Sequence, residues 1–326
     1  KVSKTGAFLQ GDYQLTERLS LQAGVRRETI RNQVDDSIPY GEAVTAATVA
    51  GYQARTLEGG NVRHSETLFN LGAVYKLTDT QQLFANFSQG FSLPDTQRML
   101  RDVPASFVID SSSIDSIKVN NYELGWRLGD ASGLNAGVTA FYNTSDKVVQ
   151  FNRDFSVSVA DTDERVWGAE GNLQVPVAEG WTLGGTLAYT RGQYKDAAGN
   201  WRELNAFRVS PLKATVYSDW RFLDGYGVRL QALTVGGSDR AYDDAQSAAI
   251  SPTIRATPAT KIQGYTVVDL IAHAPWLGGE VGFGVYNLAN RDYKTVYGQQ
   301  AEATYGAISS LPAAGRTFGL SYSVAY

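Results

Sequence analysis

The feature that most constrains this sequence is an alternation of period two that recurs along most of its length. In residues 119–128, Tyr122, Leu124, Trp126 and Leu128 fall on one face of an extended chain, and Asn121, Glu123, Gly125 and Arg127 fall on the other. That period marks a β-strand with two unlike faces. A face carrying Glu and Arg enters a dry core only at a large desolvation cost, so it is expected to meet a hydrated lumen. The opposite face then needs an apolar solvent. The closing stretch, Arg316 to Tyr326, repeats the pattern: Phe318, Leu320, Tyr322, Val324 and Tyr326 oppose Thr317, Gly319, Ser321, Ser323 and Ala325. Apolar outward and small or polar inward is the signature of a transmembrane β-barrel. An antiparallel sandwich strand alternates in the same way, so the argument rests on the whole set of strands.

Thirteen such segments are read, at 5–14, 19–33, 65–77, 82–91, 119–128, 134–150, 166–175, 181–194, 207–221, 228–235, 265–273, 280–288 and 316–326. Their connections alternate strictly between short and long. Short ones sit at 15–18, 78–81, 129–133, 178–180, 223–225 and around Pro275 and Gly278–Gly279; long ones span 35–63, 92–118, 152–163, 195–205, 236–263 and 289–315. A structure with one plain rim and one elaborated rim requires that order, and short periplasmic turns with long extracellular loops are the rule for outer-membrane barrels. Strands of about ten residues, tilted near 45°, cover roughly the 25 Å apolar band. Trp126, Trp181, Trp220 and Trp276, with Tyr13, Tyr75, Phe222 and Tyr326, flank the short turns, as an interfacial aromatic girdle predicts. Leu124, Trp126, Leu230 and Phe318 are therefore expected on an exposed outer face.

Composition removes several alternatives. No apolar run approaches the length of a membrane helix, and the alternation hides a barrel from hydropathy. With no cysteine in 326 residues, disulfides, thiolate metal sites and a Cys nucleophile are excluded. A net charge of -4 argues against nucleic acid as a partner. His64 and His273 lack the spacing of a metal pair, and no glycine cluster follows a strand as a phosphate cradle would. Asp35–Asp36 and Asp243–Asp244 read as solvated loop charges, the second pair also suited to divalent ions among lipopolysaccharide phosphates. Nothing resembles an active site, so no catalytic residue and no enzyme activity are expected.

Four ordered stretches carry a resemblance. Asn287-Leu288-Ala289-Asn290-Arg291-Asp292-Tyr293, then Gly315-Arg316-Thr317-Phe318, together with Ser88 to Asp95 (SQGFSLPD) and Asn121 to Arg127 (NYELGWR), resemble the C-terminal half of TonB-dependent outer-membrane receptors. Within that family, Thr295 to Ala301 (TVYGQQA) and the RTFGLSYSV ending are similar to receptors for ferric aerobactin and rhizobactin. The resemblance implies an all-β fold in which residues 1–326 form the C-terminal portion of a single barrel domain, the tenth to twenty-second of twenty-two strands. The plug and TonB box lie outside these residues, and the chain is expected to be a piece whose beginning is missing.

The implied function is capture of a ferric siderophore, of the citrate-hydroxamate type, and its import with TonB-supplied energy from the bacterial outer membrane. No cofactor is implied beyond iron carried inside the siderophore, and no metal ligand is assigned. Implied partners are the siderophore, the TonB complex reached through the missing N-terminal region, and outer-membrane lipid and lipopolysaccharide. A compact anionic ligand calls for Arg and Lys donors with Tyr, Trp and Gln contacts. Loop candidates are Arg98, Arg101, Arg153, Trp201, Arg202, Arg240, Tyr242, Tyr297, Gln299 and Tyr305. The alternatives are a passive porin-like channel, a soluble surface-attached β-domain, and a TonB-dependent receptor for haem, cobalamin or a sugar.

Overall fold

The computed structural model describes the chain except residues 104–105, 111–113, 152–156, 197, 243–259 and 325–326. Arg153, Asp243–Asp244 and Tyr326 lie outside the described residues. One antiparallel sheet organises the rest. Its strands are β1 (Val2–Gln14), β2 (Leu19–Val34), β3 (Gly60–Lys76), β4 (Gln81–Ser92), β5 (Ile117–Gly129) and β6 (Asn135–Ser145). A small hairpin follows, β7 (Val148–Phe151) with β8 (Val157–Ala160), apart from the main sheet. The sheet resumes with β9 (Glu164–Ala178) and β10 (Trp181–Lys195), to which the short β11 (Trp201–Glu203) adds laterally. It continues through β12 (Lys213–Phe222), β13 (Tyr226–Val235), β14 (Tyr265–Trp276), β15 (Gly279–Tyr286) and β16 (Thr317–Ser323). Thirteen strands lie on the path, and each is bonded to its neighbours in chain order. That is the up-and-down meander the alternating connections predict.

Register shows that the two faces are unlike from end to end. Tyr13, Leu21, Ala73, Ala85, Leu124 and Ala140 are linked rung to rung across β1 to β6, so they share one face. The same face continues through Leu173, Leu183, Leu230, Leu270, Val285 and Phe318. Most of this row is displayed to the surroundings, Leu124 being 63% exposed, Phe318 66% and Leu230 38%, while Val285 near the long-loop end is buried at 7%. The other face carries a polar lattice. Gln22 donates to Asp12 at 2.8 Å, Arg127 to Gln82 at 2.6 Å, Asn172 to Asn135 at 2.8 Å, and Arg229 to Asp219 at 2.8 Å. Apolar residues do enter the inner face where glycine makes room. A Cβ on Gly125, the glycine of the NYELGWR stretch, would lie 2.3 Å from the Phe84 ring.

The aromatic side chains beside the short turns also find partners. Trp181 stacks on Trp220 with centroids 6.4 Å apart, and Trp276 meets Tyr322 edge-on at 6.0 Å. Their polar ends are satisfied: the Trp181 indole donates to Ser218 Oγ at 2.8 Å, and the Tyr322 hydroxyl donates to the Leu277 carbonyl at 3.1 Å. An apolar body with a wet tip suits an interface between hydrocarbon and water.

Strand ends are where structure and sequence expectation differ. β3 begins at Gly60, inside the stretch read as loop, and loop residues 40–48 form helix α1 (Tyr40–Thr48). β6 stops at Ser145 and not at residue 150, the remainder forming the β7–β8 hairpin. β12 begins at Lys213 and not at residue 207. Asn205 gathers the amides of residues 207–209 into a turn, and Pro211 has no N–H to add to a ladder. The last long connection holds helix α3 (Val296–Tyr305), capped by Thr295 Oγ1 accepting from Gly298 N at 3.0 Å.

Asn287, 3% exposed, explains why the NLANRDY stretch is asparagine-rich. It sits at φ +52°, a left-handed conformation that asparagine tolerates better than most residues. Its amide group donates to the carbonyls of Arg291 at 2.8 Å and Ala314 at 3.2 Å, and its side-chain oxygen accepts from Arg291 N at 2.8 Å. Asn290, also left-handed, accepts from Arg316 N at 2.9 Å. The two asparagines therefore tie the top of β15 to the entry of β16. Asn287→Ala leaves two backbone carbonyls and one amide without this partner and strains the backbone, a loss of about 2–4 kcal/mol. The expected outcome is a clear drop in the temperature at which the intact folded protein loses its heat-modifiable gel mobility; an unchanged temperature contradicts the tie.

Candidate ligand-binding face

The long connections do not stand apart from one another. Leu57 of the first, Val62 at the top of β3, and Leu100, Ile109 and Ile114 of the second form a dry knot, with Val34, Leu93, Met99, Val103 and Phe107 packed around it. Full burial of each such aliphatic side chain contributes roughly 2 kcal/mol. Glu42 braces the first loop from within, accepting from the Tyr52 hydroxyl at 2.6 Å and from Arg55 Nη2 at 2.8 Å. Those bonds, with Tyr52 foremost, hold its carboxyl below the usual carboxylate range.

Further bridges carry the loops round the rim. Lys147, after β6, pairs with Asp115 of the second long connection at 2.9 Å and with Asp161 beside β8. Burial pushes the Asp115 carboxyl up, but the Lys147 ammonium, the Ser116 backbone amide and the nearby His64 together offset it and the net direction is down; Lys147 itself is raised. Arg208 of the fourth connection holds Glu164 at 2.8 Å and donates to the Val149 carbonyl of the hairpin. Phe207 meets Tyr297 of α3 at 5.6 Å, and Gln299 binds Gln263 in both directions, accepting from its amide at 2.7 Å and donating to its carbonyl at 3.0 Å.

Against this lattice the candidates from sequence separate into groups. Helix α2 (Thr96–Met99) is fastened over the inner face by Asn32, whose amide donates to Thr96 Oγ1 at 2.8 Å, and Asp95 caps it by accepting from Arg98 N at 3.1 Å. Arg98 sits 3.5 Å from Asp95 and close enough to Tyr305 to oppose the upward shift of its phenol, which burial and then Tyr297 produce. Arg98 thus lies near Tyr305, which shares helix α3 with Tyr297 and stands about two hundred positions away in sequence. Arg101 lies over the Tyr40 ring at 4.3 Å.

The remaining candidates are held elsewhere. Trp201 pairs with Lys195 on the outward parity of β10 and lies under the Arg165 guanidinium at 3.9 Å, on the outer side of the rim. Arg240 donates to the Tyr189 hydroxyl at 3.2 Å, and Tyr189 belongs to the same outward row as Leu187 and Leu183. Arg202 has inward parity opposite Tyr194 and is bound to Asp196 at 2.9 Å. Tyr242 lies 4.9 Å from the Lys261 ammonium. Both ends of the Gln299 side-chain amide are bonded to backbone. Tyr40 and Phe207 were not expected from sequence; an aromatic in a polar loop was the available signal. Among the described residues no group of three His, Asp or Glu could hold a metal ion. What the face offers is guanidinium and phenol groups on loops braced to one another.

Known proteins agree with this architecture. The solved copper transporter OprC superposes with a TM-score of 0.75 at 18% identity, over 97% of this chain and 47% of that one. The ferric-catecholate import receptor Fiu of E. coli K12 gives 0.68 at 19% identity, over 98% of this chain and 44% of that one. At those identities the likeness speaks to fold alone. In sequence, the ferric aerobactin receptor of Klebsiella pneumoniae is 32% identical over all of this chain and 44% of its own length. The rhizobactin receptor of Rhizobium meliloti (strain 1021) is 31% identical over 98% of this chain and 43% of its own length. The chain thus spans less than half the length of the curated relatives it matches. Residues 1–288 match the family model described as TonB dependent receptor-like, beta-barrel. The chain therefore belongs to the TonB-dependent receptor β-barrel family of the bacterial outer membrane.

Proposed function

We propose that this chain is the C-terminal barrel portion of a receptor that captures a ferric siderophore of the citrate-hydroxamate class on its long-loop face and passes it inward with TonB-supplied energy. The observation that carries the reading is that Arg98, on the short helix fastened over the inner face by Asn32, lies near enough to Tyr305 of α3 for its charge to act on the phenol. A ferric citrate-hydroxamate complex is compact and anionic, with carboxylate and hydroxamate oxygens outward. Guanidinium and phenol groups on braced loops match it without reorganisation. Relatives whose names specify aerobactin and rhizobactin support the same cargo class. Lys147 and the dry knot hold the platform, and the plug and TonB contact belong to the rest of the protein.

Titration of the full-length receptor with a panel of ferric siderophores tests the cargo. Ferric aerobactin is expected to quench intrinsic fluorescence at sub-micromolar concentration, with catecholate complexes and haem weaker; a reversed order overturns the cargo class. Arg98→Ala is expected to weaken binding about tenfold, the loss of one charge-assisted hydrogen bond at roughly 1.5 kcal/mol. An unchanged titration removes Arg98 from the site.

A pH dependence follows from the Lys147 bridge. Because the Asp115 carboxyl is lowered, the stability it contributes is present above its unfolded-state value and is lost as pH falls through the folded one. Because Lys147 is raised, its share is present at neutral pH and is lost only in strong alkali. Limited proteolysis at 146–163 is therefore expected to stay constant from about pH 5 to 9 and to rise only below about pH 4. Lys147→Met is expected to show the fast cleavage already at neutral pH.

A further inference from the structure

Sulfur is nearly absent from this chain: its 326 residues include no cysteine and one methionine, Met99. That single thioether closes helix α2 and leads directly into a 3₁₀ turn, Leu100–Asp102. Its backbone amide donates to the Asp95 carbonyl at 2.9 Å, and its side chain packs against the dry knot of Leu57, Val62, Leu100, Ile109 and Ile114. Leu57 and Ile114 are sealed at 0% exposure, whereas Met99 is half-buried, at the border between the knot and water.

The four residues of α2 are too few to hold a helix by themselves. One end is fixed where Asn32 donates to Thr96, the other where Met99 enters the knot. Arg98 stands between these two points, and two residues beyond Met99 the Arg101 guanidinium lies over the Tyr40 ring. Met99 therefore sets the course of the segment that carries both arginines.

A reduced thioether suits this post, being apolar, polarizable and adaptable in shape. Oxygen transfer from hydrogen peroxide changes its character. The sulfur lone pair attacks one peroxide oxygen, an S–O bond forms as the O–O bond breaks, and the other oxygen leaves as water; sulfur is oxidised by two electrons and the peroxide reduced by two. The sulfoxide is a strong hydrogen-bond acceptor, and the knot side chains around it, Leu57 and Ile114 foremost, are hydrocarbon with no donor to offer. An acceptor left unpaired there is driven out toward water.

We propose that Met99 is an oxidation-sensitive latch: as a thioether it pins α2 to the knot, and as a sulfoxide it releases α2, so that peroxide reversibly weakens ligand capture on the long-loop face. The release of α2 follows from packing alone. Its effect on capture rests on the reading of Arg98 as a ligand contact.

The test treats the full-length receptor with hydrogen peroxide, locates the added oxygen by peptide mass spectrometry, and follows amide hydrogen exchange over residues 93–103. Exchange there is expected to quicken about tenfold in the oxidised parent and to slow again after methionine sulfoxide reductase treatment. Met99→Leu, which keeps the volume without the sulfur, is expected to be indifferent to peroxide. Met99→Gln, polar and of similar length, is expected to show the fast exchange with no peroxide added. Unchanged exchange in the parent carrying the sulfoxide at Met99 overturns the latch, as do an equal response in Met99→Leu, slow exchange in Met99→Gln, or a Met99 that stays reduced while other methionines of the receptor oxidise. If Met99→Leu does not reach its folded gel mobility, the parent before and after reductase treatment supplies the comparison, and fast exchange that persists after reduction overturns the latch. Ferric siderophore affinity is read on the same samples, with a loss of about fivefold expected on oxidation. Quickened exchange with unchanged affinity upholds the latch and removes Arg98 from the ligand contacts, which separates the two readings.

Discussion

Hydrocarbon offers no hydrogen bonds, so every backbone N–H and C=O that crosses it must be paired within the protein. A sheet in which each strand is bonded on both sides meets that demand, and the strands of the path between β1 and β16 are so bonded, without a crossover. The side chains are then free to serve two solvents at once, because successive residues leave the sheet on opposite sides. The apolar row from Tyr13 to Phe318 and the polar lattice of Asp12, Gln22, Gln82 and Arg127 both follow from that one geometric fact. A slip of one residue anywhere would present the wrong face to each solvent, so the register is self-enforcing.

The long-loop rim obeys a different rule. Outside the membrane, water can satisfy the backbone, and order has to come from side chains. The knot around Leu57 and Ile114, the Lys147 bridge between Asp115 and Asp161, the Arg208 clasp on Glu164 and the Gln299 clasp on Gln263 supply it. Together they join successive loops into a platform that carries Arg98, Tyr297 and Tyr305. A preformed platform binds without first spending interaction energy on ordering its loops.

Much of this was legible in the sequence, for a reason visible in particular residues. Leu124 beside Glu123 gives a strand away because lipid and lumen enforce contrast at every step. The contrast disappears above the membrane, where Arg63 and Ser65 face outward and Val62 and His64 inward; both faces are then mixed, so the first five residues of β3 read as loop. Helices α1 and α3 were invisible because neither has a sustained apolar stripe. Candidate ligand residues could be chosen by type but not by direction. Trp201 and Arg202 are adjacent, yet they point to opposite sides of the rim. Nothing local reveals that Arg98 lies near Tyr305, since that depends on the course of loops fastened at Asn32 and Asn287.

The most direct test of the two-solvent sheet uses the absence of cysteine from this chain. Single cysteines placed in the full-length protein at Leu124, Leu230 and Phe318, and at their strand neighbours Glu123, Gln231 and Thr317, carry nitroxide labels in reconstituted bilayers. Relaxation by oxygen, which concentrates in lipid, is expected to dominate at the first three positions and to be weak at the second three. Equal oxygen and aqueous-relaxant accessibility within each neighbouring pair, or preference in the reverse sense, would contradict a sheet with lipid on one side and the lumen on the other.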